Sequence, residues 1–226
     1  AEDMGETIGA YLREYGFNMD FAPVADVYSN PDNTVIGDRA FSSDAGTAAQ
    51  MAKAMADGLK QQQIIPTFKH FPGHGDTAED SHIGIAVNYK SKAEMESCEW
   101  LPYESIGSES CVMVGHIATP EITGDMTPAS MSSKIVTGVL RQQLGFDGVV
   151  ITDALAMGAI TEEYTSAEAA VNAIAAGCDI LLCPYDFCEA FEAVTDAVSN
   201  GTISEERINE SVYRILLLKQ TYGLLN

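Results

Sequence analysis

The sequence predicts an α/β protein built on a parallel sheet with helices on both of its faces. Three features predict it. Apolar, strand-like runs recur at residues 17–24, 64–71, 111–117, 148–152 and 179–184. Each is followed by a stretch with helical spacing of apolar residues, the pattern of repeating β/α units rather than of hairpins. The runs Val149-Val150-Ile151 and Ile180-Leu181-Leu182 are continuous, not alternating, as expected of strands covered on both faces. Two architectures satisfy these features, an open doubly wound sheet and a (β/α)8 barrel. No G-x-G-x-x-G follows any of the runs, which weighs against the dinucleotide-binding form of the open sheet.

The elements follow in order. The chain opens in a helix-like segment, 2–15, with no signal-peptide pattern, and reads as starting inside a longer protein. After the first strand, a helix is expected over 45–60. The second strand leads to a helix over 92–105, with Ser91 and Glu94 at capping-box spacing. Helices over 133–144 and 167–176 stop at Gly145 and Gly177, residues suited to a left-handed C-terminal turn. Two more are expected over 187–198 and 204–222, the last with Glu205 and Glu206 in its first turn. No low-complexity linker interrupts the chain, so residues 1–226 read as one domain.

Composition narrows the function. The formal charge is −21, so nucleic acid, which needs a basic footprint, is not an expected partner. The acidity is spread out and reads as a solvated surface. No apolar run is long enough to span a membrane. The 5 cysteines are odd in number and lack C-x-x-C spacing, so neither a zinc site nor a disulfide framework is expected. Reduced thiols are the default, with Cys111 and Cys183 expected to be buried in strand-like runs. They lean toward a cytoplasmic setting without fixing the compartment.

The informative pattern is what ends each strand. The first runs into Asp26, the second into Lys69-His70-Phe71-Pro72-Gly73-His74-Gly75-Asp76-Thr77, the third into His116 and the fourth into Asp153. On a (β/α)8 barrel, that edge carries the active site. Lys69, His70, His116 and Asp153 are therefore expected to converge, with Asp26 near the same rim. Asp153 follows a buried strand directly and is either held for chemistry or the N-cap of the next helix. Lys69 ends an apolar strand, where a cation needs an anion or ligand oxygens. Gly73 and Gly75 permit close backbone approach. In Asp80-Ser81-His82, an extended backbone would let Asp80 orient the His82 ring, as a general acid/base requires. Arg39 can fork onto hydroxyls or a carboxylate, or make a surface ion pair. His70, His74, Asp76, Asp80 and His82 are also metal-capable, but His70 and His74 span a Pro-Gly loop rather than a helix face.

Taken together, these stretches resemble the β-N-acetylglucosaminidase branch of family 3 glycoside hydrolases. The stretch 69–77 with Asp80-Ser81-His82 looks like that branch's defining motif. Phe21-Ala22-Pro23-Val24-Ala25-Asp26-Val27, Ile36-Gly37-Asp38-Arg39-Ala40-Phe41 and Leu144-Gly145-Phe146-Asp147-Gly148-Val149-Val150-Ile151-Thr152-Asp153-Ala154-Leu155 support it. The resemblance implies a (β/α)8 barrel with no metal or organic cofactor. It implies retaining hydrolysis of β-linked N-acetylglucosamine in muropeptides or chitin-type saccharides. Asp153 would be the nucleophile and His82 the acid/base assisted by Asp80. Lys69, His70 and Arg39 would hold sugar hydroxyls, and His116 would line the pocket. A histidine acid/base also leaves a phosphorylase open, since it does not repel phosphate.

The resemblance further implies that three N-terminal strands are absent, leaving the last five β/α units. Such a piece cannot close a barrel by itself. It would expose apolar surface and an open edge through which copies could associate. The isolated piece would then be inactive, or a non-catalytic sugar-binding remnant.

Overall fold

The computed structural model describes residues 1–77 and 84–225. Helix α1 (Glu2–Glu14) leads to the short strand β1 (Met19–Asp20), then α2 (Ala45–Gln61) and β2 (Ile65–Phe71). Strand β3 (Ala86–Val87) and helix α3 (Lys92–Ser97) precede β4 (Cys111–Val114), β5 (Ile117–Ala118) and the single turn α4 (Pro120–Thr123). A π-helix spans Lys134–Gln143, and β6 (Val149–Thr152) follows. The chain ends with α5 (Gly158–Thr161), α6 (Ser166–Ala176), α7 (Phe187–Ser199) and α8 (Glu205–Thr221).

The local signals act as expected. Ser91 and Glu94 form a reciprocal capping box at the start of α3. Thr165 and Glu168 do the same for α6, whose C-cap Gly177 adopts φ 119°. Gly145 also takes a positive φ, 73°. Two glycines let α1 and α2 cross closely: a Cβ on Gly5 would lie 2.2 Å from the Met55 carbonyl oxygen, and one on Gly58 2.2 Å from that of Glu2.

The main sheet runs β1-β2-β4-β6, all parallel and in sequence order. The fifth run joins it through a single bridge, Ile151 to Ile180. It does not form a regular strand, because the Thr152 hydroxyl takes the Leu182 amide and Cys183 turns to φ 44°. Cys183 is exposed, contrary to expectation, whereas Cys111 is buried. The run 111–117 also divides. Its pairing stops after Val114, and Ile117–Ala118 pairs instead with Ala86–Val87 in a separate two-stranded sheet.

Side chains alternate between two environments. Phe68, Val112, Val114 and Val150 pack against α2, the π-helix and α6 in the largest core cluster. On the other face, Ile65, Cys111, Val149 and Ile151 pack with Leu218, Ile215 and Tyr222 at the end of α8. Helices therefore layer one face, and among the described residues the end of α8 packs on the other. That is the arrangement of a (β/α)8 barrel in part, not of a doubly wound sheet. Full burial of each such aliphatic contributes about 1.5–3 kcal/mol.

Asp179 fastens α8 in place. Its carboxylate is fully buried and accepts from Arg141 at 2.6 Å, Arg207 at 3.1 Å and Arg214 at 3.4 Å. It also accepts from the Ser211 hydroxyl at 2.6 Å and the Val150 amide at 3.0 Å. Burial would raise its pKa, but these donors hold it below the usual carboxylate value. Apolar side chains remain exposed on α8 (Tyr213, Leu216, Leu217) and around α1 (Tyr11, Tyr15, Phe17).

Candidate active site

The C-terminal strand ends carry the polar groups. Asp26 lies just after the bridge between Val24 and Lys69. It is 1% exposed, and three N–H donors converge on it. His70 Nδ1 approaches Asp26 Oδ2 at 2.8 Å and the His70 amide approaches the same oxygen at 3.2 Å. The His74 amide donates to Oδ1 at 2.7 Å. Burial pushes the Asp26 pKa up, yet His70 and His74 outweigh it and hold the group ionised. With its Nδ1–H given to Asp26, a neutral His70 ring keeps Nε2 as an acceptor. His74 is buried, its Nδ1 lies 2.7 Å from the Thr77 hydroxyl, and burial lowers its pKa.

Lys69 is half-buried, and its ammonium makes no hydrogen bond or ion pair among the described residues. Burial lowers its pKa, with Arg39 pulling the same way against Asp153, Asp20 and Asp26. The cation therefore sits among three carboxylates and one guanidinium without being consumed by any of them. The Lys69–His70 peptide is cis, and the pairing with β4 shifts register between Phe68 and Phe71. Arg39 ends a 3-10 turn, Gly37–Arg39, and binds the Val35 carbonyl at 3.1 Å. It makes no surface ion pair among the described residues.

Asp153 follows β6, with its amide bonded to the Val114 carbonyl at 2.8 Å. Its Oδ1 accepts from the Ala154 amide at 2.8 Å, and no hydrogen bond reaches Oδ2 among the described residues. It is not a helix cap: the next helix begins at Gly158 with Met157 at its N-cap. His116 is 1% exposed and bonds the Ser130 hydroxyl and the Ala154 carbonyl. Both ring nitrogens are thus engaged within the protein. Asp80 and His82 lie outside the described residues.

The Pro-Gly turn after β2 rests on an ion cluster. Lys90 bonds Glu99 at 2.5 Å and Asp76 at 3.0 Å, and Ser29 donates to both carboxylates. A Cβ on Gly73 would lie 2.6 Å from Glu99 Cγ, so the turn fits only because that residue is glycine. Asp76 thus shares the Lys90 cation with Glu99. Among the described residues, no group of three or more His, Cys, Asp or Glu is placed to hold a metal.

The sequence reading missed Asp20, Ser130 and the Lys90–Glu99 pair. Asp20 was legible, being a carboxylate inside an apolar strand run, the same signal that marked Lys69. Burial raises its pKa and Lys69 opposes that rise. Ser130 and Glu99 carry no local signal.

Fold and site together define a partial (β/α)8 barrel with titratable groups gathered at its C-terminal strand ends. The family model for the glycosyl hydrolase family 3 N terminal domain matches residues 1–218, and the chain belongs to that family. It is 36% identical over 227 residues to Beta-hexosaminidase LpqI of Mycobacterium tuberculosis, covering 96% of this chain and 58% of that protein. It is 32% identical over 241 residues to Beta-hexosaminidase A of Pseudoalteromonas piscicida, covering 97% and 40%. The solved family 3 β-N-acetylglucosaminidase of Paenibacillus sp. FPU-7 superposes with a TM-score of 0.95 at 38% identity, covering 99% of this chain and 43% of that one. The chain spans about half the length of the curated relatives it matches.

Proposed function

We propose that the protein carrying this chain is a glycosidase that releases terminal β-linked N-acetylglucosamine from muropeptide or chitin-type saccharides. Asp153 Oδ2 attacks the anomeric carbon, the bond to the leaving oxygen breaks, and His82 gives that oxygen its proton. Water then attacks the glycosyl-Asp153 ester, losing its proton to His82 and freeing the carboxylate. Asp80 orients His82. Lys69, His70 and Arg39 hold the sugar hydroxyls, His70 through a ring whose tautomer Asp26 sets. The names of the relatives support the substrate class.

The observation that carries this proposal is Lys69, a half-buried cation with no described partner beside Asp153. Leaving three charged donors unpaired in such a place costs free energy that a bound hydroxyl array would recover. A mechanism-based fluoro-sugar is expected to label Asp153, and Asp153→Ala to lower kcat on the order of 10^3-fold or more. His82→Ala is expected to lower kcat/KM about 10^2-fold or more on a chitin-type disaccharide, whose leaving group needs a proton. It should largely spare a nitrophenyl glycoside, whose leaving group departs as a stable anion. Labelling of another carboxylate, or equal losses on both substrates, would overturn the assignment.

A further inference from the structure

We propose that His116 is a positioning residue for Asp153, acting through the two peptide units that meet at Ala154. The inference rests on the assignment of Asp153 as nucleophile above. His116 stands at the break between β4 and β5 and is 1% exposed. Its Nε2 lies 3.0 Å from the Ala154 carbonyl oxygen, and its Nδ1 lies 2.8 Å from the Ser130 hydroxyl. A carbonyl only accepts, so Nε2 carries the proton; in the neutral ring, Nδ1 then accepts from Ser130. Burial, which lowers the His116 pKa, favours that neutral form.

The consequence lies in what Ala154 holds. Its amide donates to Asp153 Oδ1 at 2.8 Å, so the orientation of that peptide orients the carboxylate. On either side the chain is anchored by backbone hydrogen bonds: Asp153 N to the Val114 carbonyl at 2.8 Å and Leu155 N to the Leu182 carbonyl at 2.9 Å. The carbonyl of Ala154 accepts twice, from the Met157 amide at 3.1 Å in the turn before α5 and from His116 Nε2 at 3.0 Å, so His116 is the side chain that holds this peptide from across the fold. Ser130 in turn is 0% exposed, and its own carbonyl accepts from Cys178 Sγ at 3.4 Å. A chain of buried contacts therefore runs from the core to the reacting carboxylate, and a nucleophile must be held near its attack geometry to react.

Two substitutions separate the ends of the ring. His116→Gln can place an amide N–H near the Nε2 position and keep the Ala154 contact. His116→Asn can keep only the Ser130 side. With a nitrophenyl N-acetylglucosaminide, we expect His116→Gln to hold kcat within about threefold of wild type. His116→Asn should lower kcat, and the rate at which the fluoro-sugar labels Asp153, by about 30-fold or more. The Kd for N-acetylglucosamine and the thermal midpoints of the two variants should stay alike. Equal kcat in Asn and Gln, or a loss that appears in Kd or in thermal midpoint instead, would overturn the proposal. If His116→Asn does not fold, Ser130→Ala carries the test: a several-fold drop in kcat at unchanged Kd supports it, and unchanged kcat overturns it. Wild-type labelling at a carboxylate other than Asp153 would remove the underlying assignment. Wild-type labelling at Asp153 with no Asn–Gln difference removes the His116 role alone.

Discussion

Replacing Asp26 with asparagine tests how the sugar-facing end of β2 is held. Three N–H donors converge on the carboxylate, at 2.8, 3.2 and 2.7 Å. Asparagine has nearly the same shape but only one acceptor oxygen. With that oxygen toward His70, the NH2 group meets the His74 amide; turned round, it meets both His70 donors. Either way at least one buried donor is stranded, which costs about 1–3 kcal/mol. The surviving bonds also lose their charge assistance, roughly half their strength. The total expected loss is about 2–4 kcal/mol at neutral pH, read as a lower midpoint in chemical denaturation at unchanged slope. The pH dependence has a definite sign. The folded pKa of Asp26 is lowered, so its stabilisation is complete above the unfolded carboxylate value, ~3.9, and is lost as pH falls through the folded value. The gap between wild type and variant should narrow as pH falls below about 4. A variant within about 0.5 kcal/mol of wild type, or a gap that widens in acid, would refute the reasoning.

Two further outcomes follow from buried charge. Asp179→Ala removes the buried carboxylate from three guanidiniums that are 12%, 16% and 15% exposed, leaving Arg141 with backbone carbonyls and Arg207 and Arg214 with the exposed Glu210 and Asp147. It should cost about 3–5 kcal/mol and free α8 for limited proteolysis; a loss below about 1 kcal/mol would contradict the fastening role. Lys90→Met leaves the fully buried Glu99 carboxylate beside Asp76 without its cation and should cost about 3 kcal/mol, the low end for a buried pair because Lys90 is a fifth exposed. Adding Glu99→Gln should restore part of that stability, and an additive double variant would mean the two side chains are not coupled.

Local chemistry made much of this protein legible. Helix ends could be read from Ser91 with Glu94, from Gly145 and from Gly177, because caps depend on neighbours within one turn. The parallel order of the strands followed from continuous apolar runs separated by helices. The strand-end polar residues followed from the contrast between an apolar run and the charge that ends it. Less legible were the division of 111–117 at Gly115-His116 and the exposure of Cys183, since both hang on which strand the backbone pairs with next.

By itself, then, the sequence determined the order of the elements, most of their types and the residues brought to one edge of the sheet. Only tertiary structure decided the partners: Asp26 with His70 and His74, which lie 44 and 48 residues away, Asp179 with three arginines, and His116 with Ser130 and Ala154. It also decided that the end of α8 packs on the sheet face opposite the other helices. The physical reason is that dihedral preference and periodicity act over a few residues. A buried donor, by contrast, takes whichever acceptor the packed chain brings within about 3 Å, however distant in sequence.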